Sequence, residues 1–153
     1  IGMTTTLAEL HGLFFEDLKV GMTAVYGRTI TETDIVLFAG ITGDNNPVHI
    51  NEEFASETMF SGRIAHGMLT GAFVSTVLGM KLPGPGAIYV SQTLRFKAPV
   101  RSGDTVNVRA TVVDLVPEKR RATLSTVITV GEKVVLEGAA VVIVPPRDSL
   151  KSR

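Results

Sequence analysis

The chain of 153 residues contains no cysteine, and only 6% of its residues are aromatic. The lack of cysteine excludes disulfide bonds and cysteine-ligated metal sites, and it fits a reducing compartment such as the cytoplasm. An excess of charge is also missing, because 15 basic residues balance 15 acidic ones and the formal net charge is +0. No basic face is expected, so neither nucleic acid nor an anionic membrane is an expected partner.

Long apolar runs are absent as well, since no stretch approaches the roughly 20 residues of a membrane-spanning helix. The first residues show no basic segment followed by an apolar one, so no secretory signal is expected. Hydrophobic residues still make up 44% of the chain, which is enough apolar material for a globular core. The length favours a single domain over residues 1–153, with flexible ends at residues 1–10 and 147–153.

The spacing of apolar residues changes along the chain from helical to alternating. It predicts a strand over residues 22–30 and then a helix over residues 32–41 that begins after a capping Thr31. A second helix, within residues 65–80, is apolar on nearly every side, which predicts that it lies inside the protein. The alternation that follows predicts strands over residues 88–96, 105–112, 122–130 and 134–144.

This order of elements predicts an α+β fold in which an antiparallel sheet of about five strands wraps around the second helix. An open sheet of this kind leaves unpaired backbone groups along its edge strands, which favours association with other chains. Pairing two copies edge to edge would remove that liability. We therefore expect a homodimer.

Residues 42–49 read Thr-Gly-Asp-Asn-Asn-Pro-Val-His and place a carboxyl and an imidazole five residues apart. Gly43 permits unusual backbone angles, and Pro47 disfavours the helical region for the residue before it, so the segment is expected to be an irregular loop. Such a loop could aim Asp44 and His49 at one water molecule. A structural role as turn residues is about equally consistent with the spacing. One aspartate and one histidine are too few for a zinc site, so no metal is expected.

Gly67 stands near the start of the second predicted helix, where backbone N–H groups lack partners and the helix end is partly positive. A glycine there would let a ligand oxygen approach the backbone, as in an oxyanion hole. Taken alone, the residues favour a simpler interpretation, in which Gly67 allows close packing and His66 is a half-buried imidazole with satisfied hydrogen bonds. Ser75, two turns further, is by itself a small packing residue without a hydrolase motif around it.

Three basic residues, Arg95, Lys97 and Arg101, follow one another closely near the end of the first predicted strand after the second helix. They could meet a phosphate-bearing ligand. A solvated strand face is the commoner explanation for such residues.

Taken together, the sequence resembles the MaoC-like hydratases of the hot-dog fold, and specifically the (R)-specific enoyl-CoA hydratases. Residues 42–49 carry the resemblance together with Ala-His-Gly-Met-Leu at residues 65–69 and with residues 82–89 and 92–100. The similarity extends over about residues 18–145, and no key position departs from the pattern.

The resemblance implies reversible addition of water to a trans-2-enoyl thioester, giving a (3R)-3-hydroxyacyl thioester. Asp44 and His49 match the catalytic pair that holds the water. Gly67 matches the position whose backbone N–H polarises the thioester carbonyl, and Ser75 matches a polar position that lines the site. No metal or redox cofactor is implied, because coenzyme A is part of the substrate.

Other functions of such a domain are open at this point. Dehydration of a (3R)-hydroxyacyl chain on acyl carrier protein would use the same site in reverse, with residues 95–101 as a candidate basic docking patch. Thioester hydrolysis is common among hot-dog folds. A non-catalytic acyl-CoA-binding module is disfavoured, since binding alone would not need both Asp44 and His49.

Overall fold

A six-stranded antiparallel sheet and one long helix, α5 (Gly67–Met80), form the centre of the computed structural model, which describes residues 6–150. The strands are β1 (Thr23–Thr29), β2 (Ile88–Gln92), β3 (Arg95–Phe96), β4 (Thr105–Val116), β5 (Arg121–Val130) and β6 (Lys133–Ile143). Their order is β1-β4-β5-β6-β2, with β3 also paired to β6, and all pairs are antiparallel. The predicted arrangement is confirmed, with six strands instead of about five.

The additional strand arises because the predicted strand over residues 88–96 is divided into β2 and β3. The register between β2 and β6 shifts at Val90, which forms a bulge and interrupts the predicted alternation. Further along, the carbonyl oxygen of Thr93 lies 1.8 Å from the point where a β-carbon on Gly138 would stand. The backbone therefore crosses β6 at a position that only glycine can occupy.

The other helices are short, and all of them precede α5 in the chain. They are α1 (Leu7–Leu10), α2 (Glu32–Thr42), α3 (Pro47–Ile50) and α4 (Glu52–Ser56). Thr31 caps α2 as predicted, because its hydroxyl accepts the N–H of Asp34 at 3.1 Å while the Asp34 carboxylate accepts the N–H of Thr31 at 2.9 Å. This reciprocal pair is a capping box and fixes where α2 begins.

Short structured segments occur at both ends of the described chain. Helix α1 and a 3-10 turn at Arg147–Ser149 fall within residues 1–10 and 147–153, for which the sequence predicts flexibility. Residues 1–5 and 151–153 lie outside the described residues. Within the described part of the chain, no helix combines the length and the apolar character that crossing a membrane requires.

One face of α5 is buried in the core, and the opposite face is open in the single chain. The buried face carries Leu69, Phe73, Val74, Val77 and Leu78. These side chains pack with inward-facing residues of β4, β5 and β6 in one apolar cluster. The open face carries Met68, Ala72 and Ser75. The prediction of a sheet wrapped around one long central helix is confirmed, and in the single chain the sheet covers one side of that helix.

Candidate active site

A turn after α2 holds the carboxylate of Asp44 at the site. Gly43 ends α2 in the left-handed region with φ of 75°, a conformation that glycine adopts without steric cost. The N–H of Asp44 donates to the hydroxyl of Thr42 at 3.2 Å, and a carboxylate oxygen of Asp44 accepts the N–H of Asn46 at 3.3 Å. These local hydrogen bonds orient an otherwise exposed carboxylate.

The one-turn helix α3 holds His49. Asn46 caps this helix by accepting the N–H of Val48 at 3.1 Å, and Pro47 is its first residue. The prediction of an irregular loop through His49 is therefore wrong. Proline excludes the helical region for the residue before it, but its own fixed φ and missing N–H suit the first position of a helix. His49 is buried, at 8% exposure.

A hydrogen bond determines which nitrogen of His49 can act as a base. Nδ1 of His49 lies 2.8 Å from the carbonyl oxygen of Ile64. Because a carbonyl only accepts, Nδ1 carries the hydrogen and donates it. In the neutral imidazole Nε2 then keeps its lone pair, so His49 is arranged to accept a proton at Nε2.

His66 is a third polar residue of the site, and the sequence analysis missed it. Its side chain is 2% exposed and stacks on His49, with ring centroids 3.8 Å apart and 28° between the ring planes. Its Nε2 lies 2.9 Å from the backbone carbonyl oxygen of Asp44, whereas its Nδ1 is buried without a partner among the described residues. The interpretation of His66 as half-buried and fully hydrogen-bonded is therefore wrong. The only sequence signal was a histidine directly before Gly67.

A carboxylate oxygen of Asp44 and ring nitrogens of His49 and His66 lie within 4.8 Å of one another. These are residue types that metal ions use, with metal–nitrogen bonds of about 2.0–2.1 Å directed along the ring plane. The two imidazoles stack face to face with 28° between their planes, so one ion at bonding distance cannot lie in the planes of both rings. The cluster suits proton transfer to and from a small polar molecule better than metal binding.

Gly67 is the first residue of α5 and directly follows this cluster. The side chain of His66 does not cap the helix, so the first N–H groups of α5 remain available as hydrogen-bond donors. A β-carbon on Gly67 would lie 2.8 Å from ring atoms of Phe96. Close packing and access to a backbone donor, which the sequence analysis treated as alternatives, are therefore compatible at Gly67.

Ser75 lies apart from the acid–base cluster, about 12 Å along α5 from Gly67. It lines a cavity of about 410 Å³ together with Phe38 and Tyr89. Phe38 also contacts His66, with ring centroids 4.9 Å apart, so it lies between the cavity and the cluster. Burial raises the pKa of Tyr89 to about 12, which keeps a neutral phenol in the cavity wall.

The three basic residues Arg95, Lys97 and Arg101 differ in their contacts. The guanidinium of Arg101 donates to the carbonyl oxygens of Arg63, at 3.1 Å, and of Phe60. Arg101 therefore holds the loop before α5. Lys97 lies 3.4 Å from a carboxylate of β6, and Arg95 is exposed. Only Lys97 and Arg95 remain to meet a phosphate-bearing ligand.

Residues 4–136 match the family model described as MaoC like domain. The protein belongs to this family. The resemblance noted for the segment that carries Asp44 and His49 is thereby confirmed at the level of the family.

Relatives of this MaoC-like protein match it along most of their length. The (R)-specific enoyl-CoA hydratase of Rhodospirillum rubrum is 58% identical over 88% of this chain and 93% of its own. The 3-hydroxybutyryl-CoA dehydratase of Methylorubrum extorquens is 54% identical over 93% of this chain and 90% of its own. The unliganded R-hydratase PhaJ1 from Pseudomonas aeruginosa has a TM-score of 0.84 at 41% identity, covering 90% of this chain and 89% of its own. The predicted hot-dog fold is confirmed by this similarity.

Proposed function

We propose that this MaoC-like protein is an (R)-specific enoyl-CoA hydratase, a hydro-lyase that reversibly converts trans-2-enoyl-CoA and water into (3R)-3-hydroxyacyl-CoA. The observation that carries the proposal is the meeting of the Asp44 carboxylate and the His49 imidazole beside the free N-terminus of α5. The 58% identity to a protein named for this activity supports it.

In the proposed mechanism, one water molecule donates its hydrogens to the Asp44 carboxylate and to Nε2 of His49. The water oxygen bonds to C3 as Nε2 takes the proton, and the π electrons of the C2–C3 bond move onto the thioester oxygen. The N–H of Gly67 stabilises that developing enolate oxygen. The imidazolium of His49, stabilised by the nearby carboxylate, then returns the proton to C2 on the same face. The result is syn addition of one water molecule.

The assignment of His49 as base and then acid rests on its tautomer. The Nδ1–H donated to Ile64 leaves Nε2 as the acceptor. An imidazole also exchanges protons near neutral pH more readily than a carboxylate does. Asp44 serves as the second acceptor that orients the water.

The acyl chain is proposed to occupy the cavity along the open face of α5, with Ser75 as a polar contact in its wall. The cavity is bordered by apolar and aromatic side chains, including Phe38 and Tyr89, as expected for a pocket that receives an alkyl chain. Addition of water involves no net transfer of electrons, so we propose that the reaction uses no redox cofactor. We propose no metal either, because the His49 base and the N–H of Gly67 would supply the proton transfer and the charge stabilisation that a metal could provide. The absence of cysteine keeps the cytoplasm as the proposed location.

A homodimer is proposed as the working assembly. Strand β2 is an edge of the sheet, and its residues Ile88, Tyr89 and Val90 are 56%, 41% and 43% exposed. The open face of α5 adds Met68, at 57% exposure. A second copy that pairs with the β2 edge would satisfy the strand and cover the apolar side chains.

Dehydration on acyl carrier protein is the less favoured alternative. A carrier protein would need a basic docking patch, and Arg101, one of the three candidates, is engaged with backbone carbonyl oxygens. Comparing turnover of matched CoA and carrier-protein substrates separates the two activities. Faster turnover of the carrier-protein substrate would favour the alternative.

Substitution of the acid–base pair tests the proposal. We expect Asp44→Asn and His49→Asn each to lower hydration of crotonyl-CoA by about two orders of magnitude or more. Asparagine at residue 44 keeps an acceptor for the N–H of Asn46, and asparagine at residue 49 keeps a donor for the carbonyl of Ile64. Both variants should therefore fold.

The matched control is Asp114→Asn, which changes an exposed carboxylate on β4. It should leave both turnover and the circular dichroism spectrum unchanged. Chiral analysis of the product completes the assay. Near-wild-type hydration by either site variant, or an (S)-3-hydroxyacyl product, would refute the proposed function.

A further inference from the structure

We propose that His66 is a positioning residue of the hydration site, whose Nε2–H holds the backbone of Asp44 and whose ring holds the ring of His49 in place. This inference rests on the proposed function, because it concerns the same reaction. It assigns to His66 a role that the acid–base pair and the oxyanion donor do not include.

The contacts of His66 reach each part of the site. Its Nε2–H donates to the carbonyl oxygen of Asp44 at 2.9 Å, its ring stacks on His49 at 3.8 Å, and its peptide leads directly into Gly67. The neighbouring ring of Phe38 from α2 lies 4.9 Å away. One buried ring thus sets the relative position of the carboxylate, the base and the oxyanion donor.

The hydrogen bonds also determine which nitrogen of His66 carries a hydrogen. The carbonyl of Asp44 requires the hydrogen on Nε2, and the buried Nδ1 has no hydrogen-bond partner among the described residues. A tautomer with its hydrogen on Nδ1 would break the bond to Asp44 and leave a buried N–H unpaired.

Nitrogen-15 NMR tests the tautomers without any substitution, because the chain contains only 3 histidines. We expect His66 to show a protonated Nε2 and an unprotonated Nδ1, and His49 to show the reverse pattern. A hydrogen on Nδ1 of His66 in place of Nε2 would overturn the proposal.

Two substitutions test the effect on catalysis. His66→Gln keeps an N–H donor at the position of Nε2 and should retain turnover to within about tenfold of the wild type, whereas His66→Phe keeps a stacking ring without the donor. A misplacement of about 1 Å at a reacting group can cost about 100-fold. We therefore expect His66→Phe to lower kcat about 100-fold while KM for crotonyl-CoA changes less than about threefold.

The control is His11→Gln, which makes the same chemical change outside the site and should leave kcat unchanged. Wild-type kcat in His66→Phe, or an equal loss in His66→Gln and His66→Phe, would contradict positioning through the Nε2–H donor. If neither variant folds, the NMR measurement on the wild type still decides. If the wild type does not hydrate enoyl-CoA at all, the proposed function fails, while the tautomer of His66 is tested independently.

Discussion

Gly67 shows how one missing side chain serves both packing and chemistry. The ring of Phe96 occupies the space that a β-carbon would need, at 2.8 Å, and the same bare backbone leaves an N–H free at the start of α5. The sequence analysis could identify the glycine but could not choose between packing and catalysis. The choice depended on Phe96, which lies on a strand far along the chain.

We expect Gly67→Ala to lower hydration of crotonyl-CoA by about 100-fold, because the added methyl displaces either the Phe96 ring or the start of α5. Activity assays together with thermal denaturation measure the effect. The matched control is Gly40→Ala in α2, where a β-carbon meets nothing within 4 Å. That change should raise the unfolding free energy by about 0.5–1 kcal/mol and leave activity intact. Full activity in Gly67→Ala would exclude a role for this backbone position.

At the scale of the element, the short helix α3 determines where the base lies. Its cap, Asn46, accepts the N–H of Val48 at 3.1 Å. A single turn of helix has little stability of its own, so it depends on its cap and on tertiary contacts. The sequence pattern contained the signs of this helix, namely an asparagine before a proline, but they were interpreted as a loop.

We expect Asn46→Ala to destabilise the protein by about 1 kcal/mol and to lower kcat, because α3 loosens and His49 loses its position. Asn51→Ala is the matched control, since Asn51 caps α4 by accepting the N–H of Phe54 at 3.0 Å. Asn51→Ala should lower the unfolding free energy by a similar amount but should reduce kcat less. Urea denaturation and steady-state kinetics check both variants, and equal kinetic effects would show that α3 has no special role.

Helix α2 carries the turn of Asp44, and its first turn is anchored to β1 through Asp34. Burial raises the pKa of Asp34, but hydrogen bonds from Thr31 and the ion pair with Arg28 outweigh it, so the pKa lies below the model-compound value of 3.8. A lowered folded-state pKa stabilises the protein above the unfolded-state value. The contribution disappears as the pH falls through the folded-state value.

We therefore expect Asp34→Asn to lower the unfolding free energy by about 1 kcal/mol at neutral pH. The difference from the wild type should shrink as the pH falls below 3.8, where the wild-type carboxylate becomes protonated. Urea denaturation at about pH 7 and about pH 3 measures it. A difference that stays constant or grows toward low pH would contradict this assignment.

At the scale of the whole molecule, the edge strand β2 and the open face of α5 leave apolar side chains exposed in the single chain. The sheet covers one side of α5, and Met68 and Ile88 remain 57% and 56% exposed. An apolar surface of this kind next to an unpaired strand edge favours a second copy.

We expect light scattering to give a mass of twice the 16.3 kDa chain. Ile88→Lys, which puts a charge on the β2 edge, should shift the mass toward that of one chain. Val113→Lys is the control, because Val113 is also exposed, at 48%, but lies on β4 within the sheet. A wild-type mass near that of one chain, or dissociation by the control alone, would overturn the dimer.

The sequence by itself determined the order of elements and the α+β class, and it identified Asp44 and His49 as the candidate catalytic pair. Local spacing encodes helix and strand periodicity, and the motif over residues 42–49 is contiguous. The capping of α2 by Thr31 was also local and therefore predictable.

Only the tertiary structure decided that β2 and β3 are separate, that α5 is open on one face and that His66 belongs to the site. Each of these depends on contacts between segments distant in the chain: Thr93 over Gly138, the sheet against α5, and the ring of His66 against His49. Periodicity shows that a side chain is apolar or polar, but not which neighbour it meets. The tautomer of His49 was decided in the same way, by the carbonyl of Ile64 fifteen residues away.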